Sequence, residues 1–271
     1  MSDITELVSK LDLSMSVSRD ARMKKGQIYR NTNENLTAIL GSYDLKDKEV
    51  LSVLASSDQV FSSYYYGAKN VDCFDRQVIA YYYYYLKYWN LLETNRHYIS
   101  ANNRMIRKII EKHKEEQPSV YEFWDLILNK LGTTPLYYSN LFVFSPYPYR
   151  VPYEDDINGL IEILKDKELK FKNINLFEQI STEKQYDIIV ASNILEYMFT
   201  AEDEEIKKTV LTNLYDLLKK DGIIISSNLF NNSNINDEYL LSLYEYEEGI
   251  KGYNQMISND QIPLCYSLKK K

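Results

Sequence analysis

The sequence predicts an α/β fold: a mostly parallel, doubly wound sheet that finishes in an antiparallel hairpin. Three observations predict it. Four short apolar runs, each bounded by charged or turn residues, have the length and β-branched content of strands buried on both faces. Helical patterns separate them, and strand–helix alternation implies right-handed crossovers between parallel strands. The tail then carries two short strand patterns around a tight turn, as expected of a hairpin at a sheet edge.

The four runs are Glu49–Leu54, Asn70–Asp75, Tyr186–Ala191 and Gly222–Ser227, and Leu169–Ile174 is a fifth, weaker candidate. Helices are predicted over Asp58–Tyr66, Arg76–Leu92, Glu154–Lys165 and Ala201–Lys220. The last places Ile206, Val210, Leu214 and Leu217 at helical spacing, and its acidic start (Glu202–Glu205) and basic end (Lys219, Lys220) complement a helix dipole. In the tail, a helix over Glu238–Glu247 precedes strands at Tyr253–Ile257 and Ile262–Leu268, joined by a turn at Ser258–Asp260. Residues 93–150 interrupt the alternation with helical patterns at Asn102–Glu116 and Val120–Leu131 and a Tyr/Pro-rich stretch, Phe144–Tyr149. The expected organisation is a helical segment over 1–45, the first half of a Rossmann-like domain over 46–92, a helical insertion forming a lid or acceptor region over 93–150, and the second half over 151–271.

Charge and composition narrow the function classes. A net charge of −7 over 271 residues argues against a long nucleic-acid track, which needs a basic face. The two cysteines, Cys73 and Cys265, form no ligand spacing and fit a reducing compartment. No apolar run approaches the roughly 20 residues of a transmembrane helix, and Met1–Lys10 lacks the apolar core of a signal peptide, so a cytoplasmic location is expected. The 26 tyrosines against 8 glycines read as a bias toward large amphipathic core residues, the run Tyr81–Tyr85 included. His97 and His113 have no cysteine or carboxylate cluster in sequence around them, so no metal site is expected.

A parallel sheet ending in an antiparallel hairpin resembles the Rossmann-like class I fold of S-adenosylmethionine (SAM)-dependent methyltransferases. Loops at the carboxyl edge of such a sheet face the ligand. After the first strand, Ser56, Ser57 and Asp58 enter a helix whose N–H groups can meet the amino and carboxylate ends of a methionine moiety, with plain N-capping as the alternative. Asp75 closes the second strand, where a carboxylate accepts from both ribose hydroxyls of an adenosine; NAD-binding and SAM-binding proteins share that position. Ser192–Tyr197 follows the next strong strand: Asn193 offers both an acceptor and a donor, and Tyr197 a ring for a sulfonium.

The blocks Ile28–Asn35, Val50–Gln59, Phe74-Asp75, Phe123–Asp125, Ser139–Phe142 and Tyr186–Asn193 together resemble one family, the bacterial relatives of the diacylglycerol 3-amino-3-carboxypropyl transferases of betaine-lipid synthesis. The resemblance implies a SAM site held by Ser56–Gln59 (Ser56, Ser57, Asp58, Gln59), Asp75, Ser192 and Asn193, with Tyr29 and Thr32 closing over it. Transfer of a methyl or an aminocarboxypropyl group to a small-molecule or lipid acceptor is then expected. No catalytic residue is identifiable; Glu196 and Tyr197 are the candidates for a base. One departure matters. Leu54 and Ser57 stand where glycines are expected, so the loop is expected to take another path or to bind the cofactor weakly, and a non-catalytic protein with a degenerate pocket is the alternative. A nicotinamide-dependent oxidoreductase is the further rival, against which stands the missing G-x-G-x-x-G.

The insertion is basic inside an acidic chain. Arg96, Arg104, Arg107, Lys108, Lys112 and Lys114 make it so, while Met105, Ile106, Ile109 and Ile110 fall on one helical face, a pattern that suits peripheral contact with an anionic membrane, a phosphate-bearing acceptor, or a helix packed by its apolar side with its charges solvated.

Overall fold

The computed structural model describes residues 3–14, 26–99, 102–143, 150–181, 184–199, 203–227, 237–253, 261–263 and 265–271. In chain order the elements are α1 (Ile4–Ser9), β1 (Ile28–Tyr29), α2 (Leu36–Gly41), β2 (Glu49–Val53), α3 (Asp58–Tyr65), β3 (Asn70–Asp75), α4 (Ile79–Thr94), α5 (Asn103–Lys112) and α6 (Pro118–Leu131). There follow β4 (Phe142–Val143), α7 (Ile157–Leu164), β5 (Lys170–Asn173), β6 (Tyr186–Ser192), α8 (Ile194–Phe199), α9 (Glu204–Leu217) and β7 (Leu218–Ser227). The tail comprises α10 (Glu238–Leu243), β8 (Tyr244–Glu248), β9 (Lys251–Tyr253), β10 (Gln261–Pro263) and β11 (Cys265–Lys270).

Seven strands form one sheet in the order β5-β3-β2-β6-β7-β11-β8. The first five run parallel, and β11 lies antiparallel between β7 and β8. This is the expected α/β, doubly wound sheet with an antiparallel hairpin at its end. The order reverses between β2 and β6, so a crevice opens at the carboxyl ends of β2, β3 and β6.

Strand alternation sorts the core into two layers. Val50, Val71, Cys73, Ile188, Val190 and Ile225 face the layer of α2, α3, α4, α6 and α7. Leu51, Val53, Phe74, Ile189, Ala191 and Ile224 face the layer of α8, α9 and α10. The weak strand candidate is real: β5 pairs with β3 at the edge, and its Lys170 and Lys172 alternate outward, which explains its diluted apolar signal.

The insertion joins the first layer. Tyr82 of α4 stacks on Phe123 of α6 with ring centroids 4.0 Å apart, and Trp124 donates its Nε1–H to the Tyr82 carbonyl at 2.9 Å. The tyrosine run is therefore core, with Tyr82, Tyr83 and Tyr84 buried. On α5, Ile106, Ile109 and Ile110 are buried among α4 and α6, while Arg107 pairs with Asp125 at 2.9 Å and Lys112 with Glu93 at 2.7 Å. The three isoleucines of its apolar face are covered by protein, and Met105 is half-buried. No helix among the described residues is long and apolar enough to cross a membrane.

Three expectations need correction. The preface is not mostly helical: over the described residues 3–14 and 26–45 it holds two short helices and the two-residue β1, which pairs with β4. Lys219 and Lys220 do not end a helix. The chain turns extended at Leu218, and Lys219 reaches both Asp187 oxygens at 3.0 Å from within β7. The tail helix stops at Leu243, and Tyr244–Glu248 forms an edge strand with its glutamates outward. The predicted hairpin is accordingly longer, with β9 and β10 extending it beyond the main sheet; the turn at Ser258–Asp260 and the stretch Phe144–Tyr149 lie outside the described residues.

Candidate functional site

The crevice at the carboxyl edge holds a cavity of about 360 Å³. Strand ends and their following loops build it: Val53, Ala55 and Ser56 after β2, Phe74–Gln77 after β3, Ile174–Phe177 after β5, and Ser192–Ile194 after β6. Segment 27–33 crosses over it and contributes Gln27, Ile28, Tyr29, Thr32 and Asn33.

Asp75 and Arg76 are the acidic and basic residues of the cavity lining, and Asp75 is the buried one. Its carboxylate is buried, with Oδ2 accepting from the Ala55 N–H at 3.0 Å and Oδ1 from the Gln77 N–H at 2.8 Å. The Arg76 amide adds a further backbone bond, and two carboxylate oxygens with about four lone-pair sites still have capacity beyond these. Burial pushes the carboxyl up to about 6, against the opposing pull of the Gln77 and Ala55 amides and the Arg76 charge. Apolar side chains of Val53, Phe74, Ile174, Leu176 and Phe177 stand beside it, a wall suited to a flat, uncharged ring.

The first loop does what its sequence argued against. Ala55 and Ser57 both take left-handed backbone, with φ of 41° and 72°, and Ser192 after β6 does the same at 54°. The loop therefore follows a tight, glycine-like path without glycine. Leu54 is fully buried below it, and the Ser57 side chain is buried away from the cavity, so neither blocks the opening.

Beneath the loop lies a buried ion pair. Lys87 of α4 meets Asp58 at 2.6 Å, with both side chains inaccessible to solvent, and also donates to the Ser56 carbonyl at 3.0 Å. Asp58 accepts further bonds from the Thr32 N–H at 2.8 Å, the Tyr153 hydroxyl at 2.7 Å and the Ser56 hydroxyl at 2.8 Å. Burial raises the Asp58 pKa, but the ammonium and these donors outweigh it and hold the carboxyl below its ordinary range. Burial likewise drags the Lys87 ammonium down, which the Asp58 charge opposes.

Glu34 is a second buried hub. It accepts from Gln59 Nε2 at 2.7 Å, Thr32 Oγ1 at 3.2 Å, Ser192 Oγ at 2.9 Å and Ser227 Oγ. Segment 27–35 is thereby tied to α3, β6 and β7. Two polar atoms of cavity-lining residues, Gln59 Oε1 and Asn193 Nδ2, have no protein partner among the described residues. An acceptor and a donor left over in the same wall suit a ligand that carries both an ammonium and a carboxylate.

No family model matches this chain, and no curated protein does either. Solved structures that it resembles include the N-methyltransferase NodS from Bradyrhizobium japonicum in complex with S-adenosylhomocysteine, at 12% identity over 87% of this chain and 83% of that one, with a TM-score of 0.42. A TehB-like SAM-dependent methyltransferase from Corynebacterium glutamicum gives 13% identity, coverage of 89% and 90%, and a TM-score of 0.43. The rRNA methyltransferase aviRa from Streptomyces viridochromogenes gives 8% identity, coverage of 100% and 93%, and a TM-score of 0.45.

Of the residues singled out in the sequence, Tyr29, Thr32, Ser56, Gln59, Asp75, Ser192 and Asn193 come together around the cavity. Ser57 and Asp58 do not line it; Asp58 is committed to Lys87 and Tyr153 instead. The Tyr197 side chain lies outside the described residues, and Glu196 is fully buried on α8 away from the cavity. The described part of the insertion contributes no residue to this cavity. Reading the sequence missed Glu34, Lys87, Tyr153 and the Ile174–Phe177 wall. Lys87 did leave a signal, as the lone charge between Ile79 and Leu92 on a helix whose other residues there, Asn90 apart, are apolar or aromatic. The wall was recoverable too, since the loop after any parallel strand opens on the same edge.

Proposed function

We propose that this chain is a SAM-dependent group transferase. The observation that carries the reading is Asp75: a buried carboxylate at the carboxyl end of β3, oriented by backbone amides, beside an apolar wall in a cavity over the point where strand order reverses. In this reading Asp75 accepts from the ribose hydroxyls, while Phe74, Leu176 and Phe177 enclose the adenine. Ser56, Gln59 and Asn193 hold the amino-acid end, with the orphaned Gln59 Oε1 and Asn193 Nδ2 as acceptor and donor. SAM, when bound, supplies an electrophilic carbon next to a sulfonium. The protein's own contribution is to orient that carbon and exclude water, with Tyr29 and Thr32 covering the site from segment 27–33.

Similarity in the blocks around Ile28–Asn35 and Val50–Gln59 favours transfer of the aminocarboxypropyl group to a small-molecule or lipid acceptor over methyl transfer. The two differ in by-product: methylthioadenosine for the former, S-adenosylhomocysteine for the latter. Calorimetric titration with SAM, S-adenosylhomocysteine and NAD tests the cofactor. Binding of the two adenosyl amino acids and not of NAD is expected. Absence of binding by either at millimolar concentration leaves the non-catalytic reading in place, and selective binding of NAD replaces the transferase by an oxidoreductase.

A further inference from the structure

We propose that a second cavity, on the other side of segment 27–33, binds the anionic group of the acceptor: a carboxylate or phosphate carried on a flat apolar body. This cavity encloses about 340 Å³, and its walls include Arg30, Arg96, Tyr98, Met105, Tyr137 and Tyr138. Among the described residues no carboxylate lines it, although the chain as a whole carries a net charge of −7. Each cation has a ring beside it: the Arg30 guanidinium lies on Tyr137, 3.4 Å from the ring centre, and that of Arg96 stands 5.9 Å from the Tyr98 ring centre, at the outer reach of a cation–π contact. A guanidinium lying on an aromatic face keeps its charge and presents its donors edge-on, the arrangement that takes a carboxylate or phosphate bidentately.

The cavity is built, not a chance gap between side chains. Buried Asn90 donates its amide to the carbonyls of both Arg96 and Tyr98, at 2.8 and 3.0 Å, and the Thr94 hydroxyl bonds the Asn90 carbonyl at 2.7 Å. Left-handed Asn95, φ 52°, turns the chain between α4 and that loop. Across the cavity, the Tyr83 hydroxyl anchors the Arg30 carbonyl at 2.5 Å. The described residues leave three large apolar or aromatic side chains exposed, and two of them, Tyr98 at 41% and Tyr138 at 52%, stand at this cavity. Rings held out to solvent beside two cations suit a ligand with a flat body and an anionic head. Tyr29 lines the first cavity and its neighbour Arg30 the second, so one short segment separates the two ligands. The proposal rests on the SAM reading only in naming the anion's carrier an acceptor.

The test uses the full chain without cofactor, titrated by calorimetry or NMR with phenyl phosphate, benzoate and the uncharged benzamide. At least one anion is expected to bind on the order of tenfold more tightly than benzamide, with the preferred anion giving the headgroup class. Arg96→Gln, at an exposed position, is expected to weaken anion binding on the order of tenfold, and added sodium chloride to weaken it in the wild type but leave benzamide unaffected. Benzamide binding as well as the anions, salt-independent anion binding, or an unchanged affinity in Arg96→Gln would each overturn the proposal. A parallel titration with S-adenosylhomocysteine reads the first cavity alone, so failure of either site is seen separately.

Discussion

Ser57 holds a left-handed backbone, and its hydroxyl is buried without a partner among the described residues. Side chains other than glycine disfavour that conformation by roughly 1–2 kcal/mol. Ser57→Gly is therefore expected to stabilise the fold by about 1 kcal/mol in chemical denaturation; a destabilised variant would show the hydroxyl to be bonded after all. Asp75 works in the opposite sense: its buried charge costs the fold, and in the proposed reading it serves the ligand. Asp75→Ala is expected to weaken S-adenosylhomocysteine binding by about 1–3 kcal/mol in calorimetry, and an unchanged affinity would remove Asp75 from the site. The two residues differ in how visible they are in sequence. A carboxylate closing an apolar strand announces itself, because burial and strand polarity fix where it must point. A left-handed serine does not, since nothing in its chemistry favours positive φ.

At the scale of elements, the Lys87–Asp58 pair joins α4 to the start of α3, and through Thr32 and Tyr153 it also holds segment 27–33 and the chain before α7. Removing one member strands a charge with no access to water. Lys87→Ala is expected to cost about 3–5 kcal/mol, and Tyr153→Phe about 1.5–3 kcal/mol for the loss of a bond to a charged acceptor, both read from denaturant midpoints. Losses under 1 kcal/mol for Lys87→Ala would mean that water reaches Asp58. Element types were legible where one periodicity ruled: β2, β3, β6 and α9 follow from apolar runs and helical spacing. They were lost where two periods overlapped. Tyr244, Glu245, Tyr246 and Glu247 read as one helix with the preceding leucines, yet their strict alternation, Tyr244 buried and Tyr246 half-buried against exposed glutamates, is that of β8. Segment 27–35 carries no regular period, so its role as cover for the cavity was visible only through the resemblance.

For the whole molecule, Asp75 sets a sign in the dependence of stability on pH. Its carboxyl titrates near 6 in the fold against an ordinary value of 3.8. The folded state therefore binds the proton more tightly, and the stabilisation is full below pH 3.8 and lost as pH rises through 6. The difference amounts to at most about 3 kcal/mol. His97 acts oppositely, because burial, helped by the Lys87 charge, lowers its pKa, and its share is lost as pH falls. Comparing wild type with Asp75→Asn isolates the carboxyl: between pH 5 and 7.5 the ligand-free wild type is expected to lose stability relative to the variant, in denaturation at each pH. Parallel profiles would place Asp75 in contact with solvent.

Glu34 accepts from Ser227, a partner 193 residues away, at the end of β7. The cover of the cavity is made near the start of the chain and latched near its finish. Glu34 also accepts from Gln59 of α3 and Ser192 of β6, and Thr32 is held by Asp58, so the cover is tied first to elements that precede β7, and Ser227 supplies its most distant bond. The segment that lines the cavity thus draws on α3, β6 and β7, elements far apart in the chain, and its placement depends on long-range contacts whose loop-closure cost slows folding.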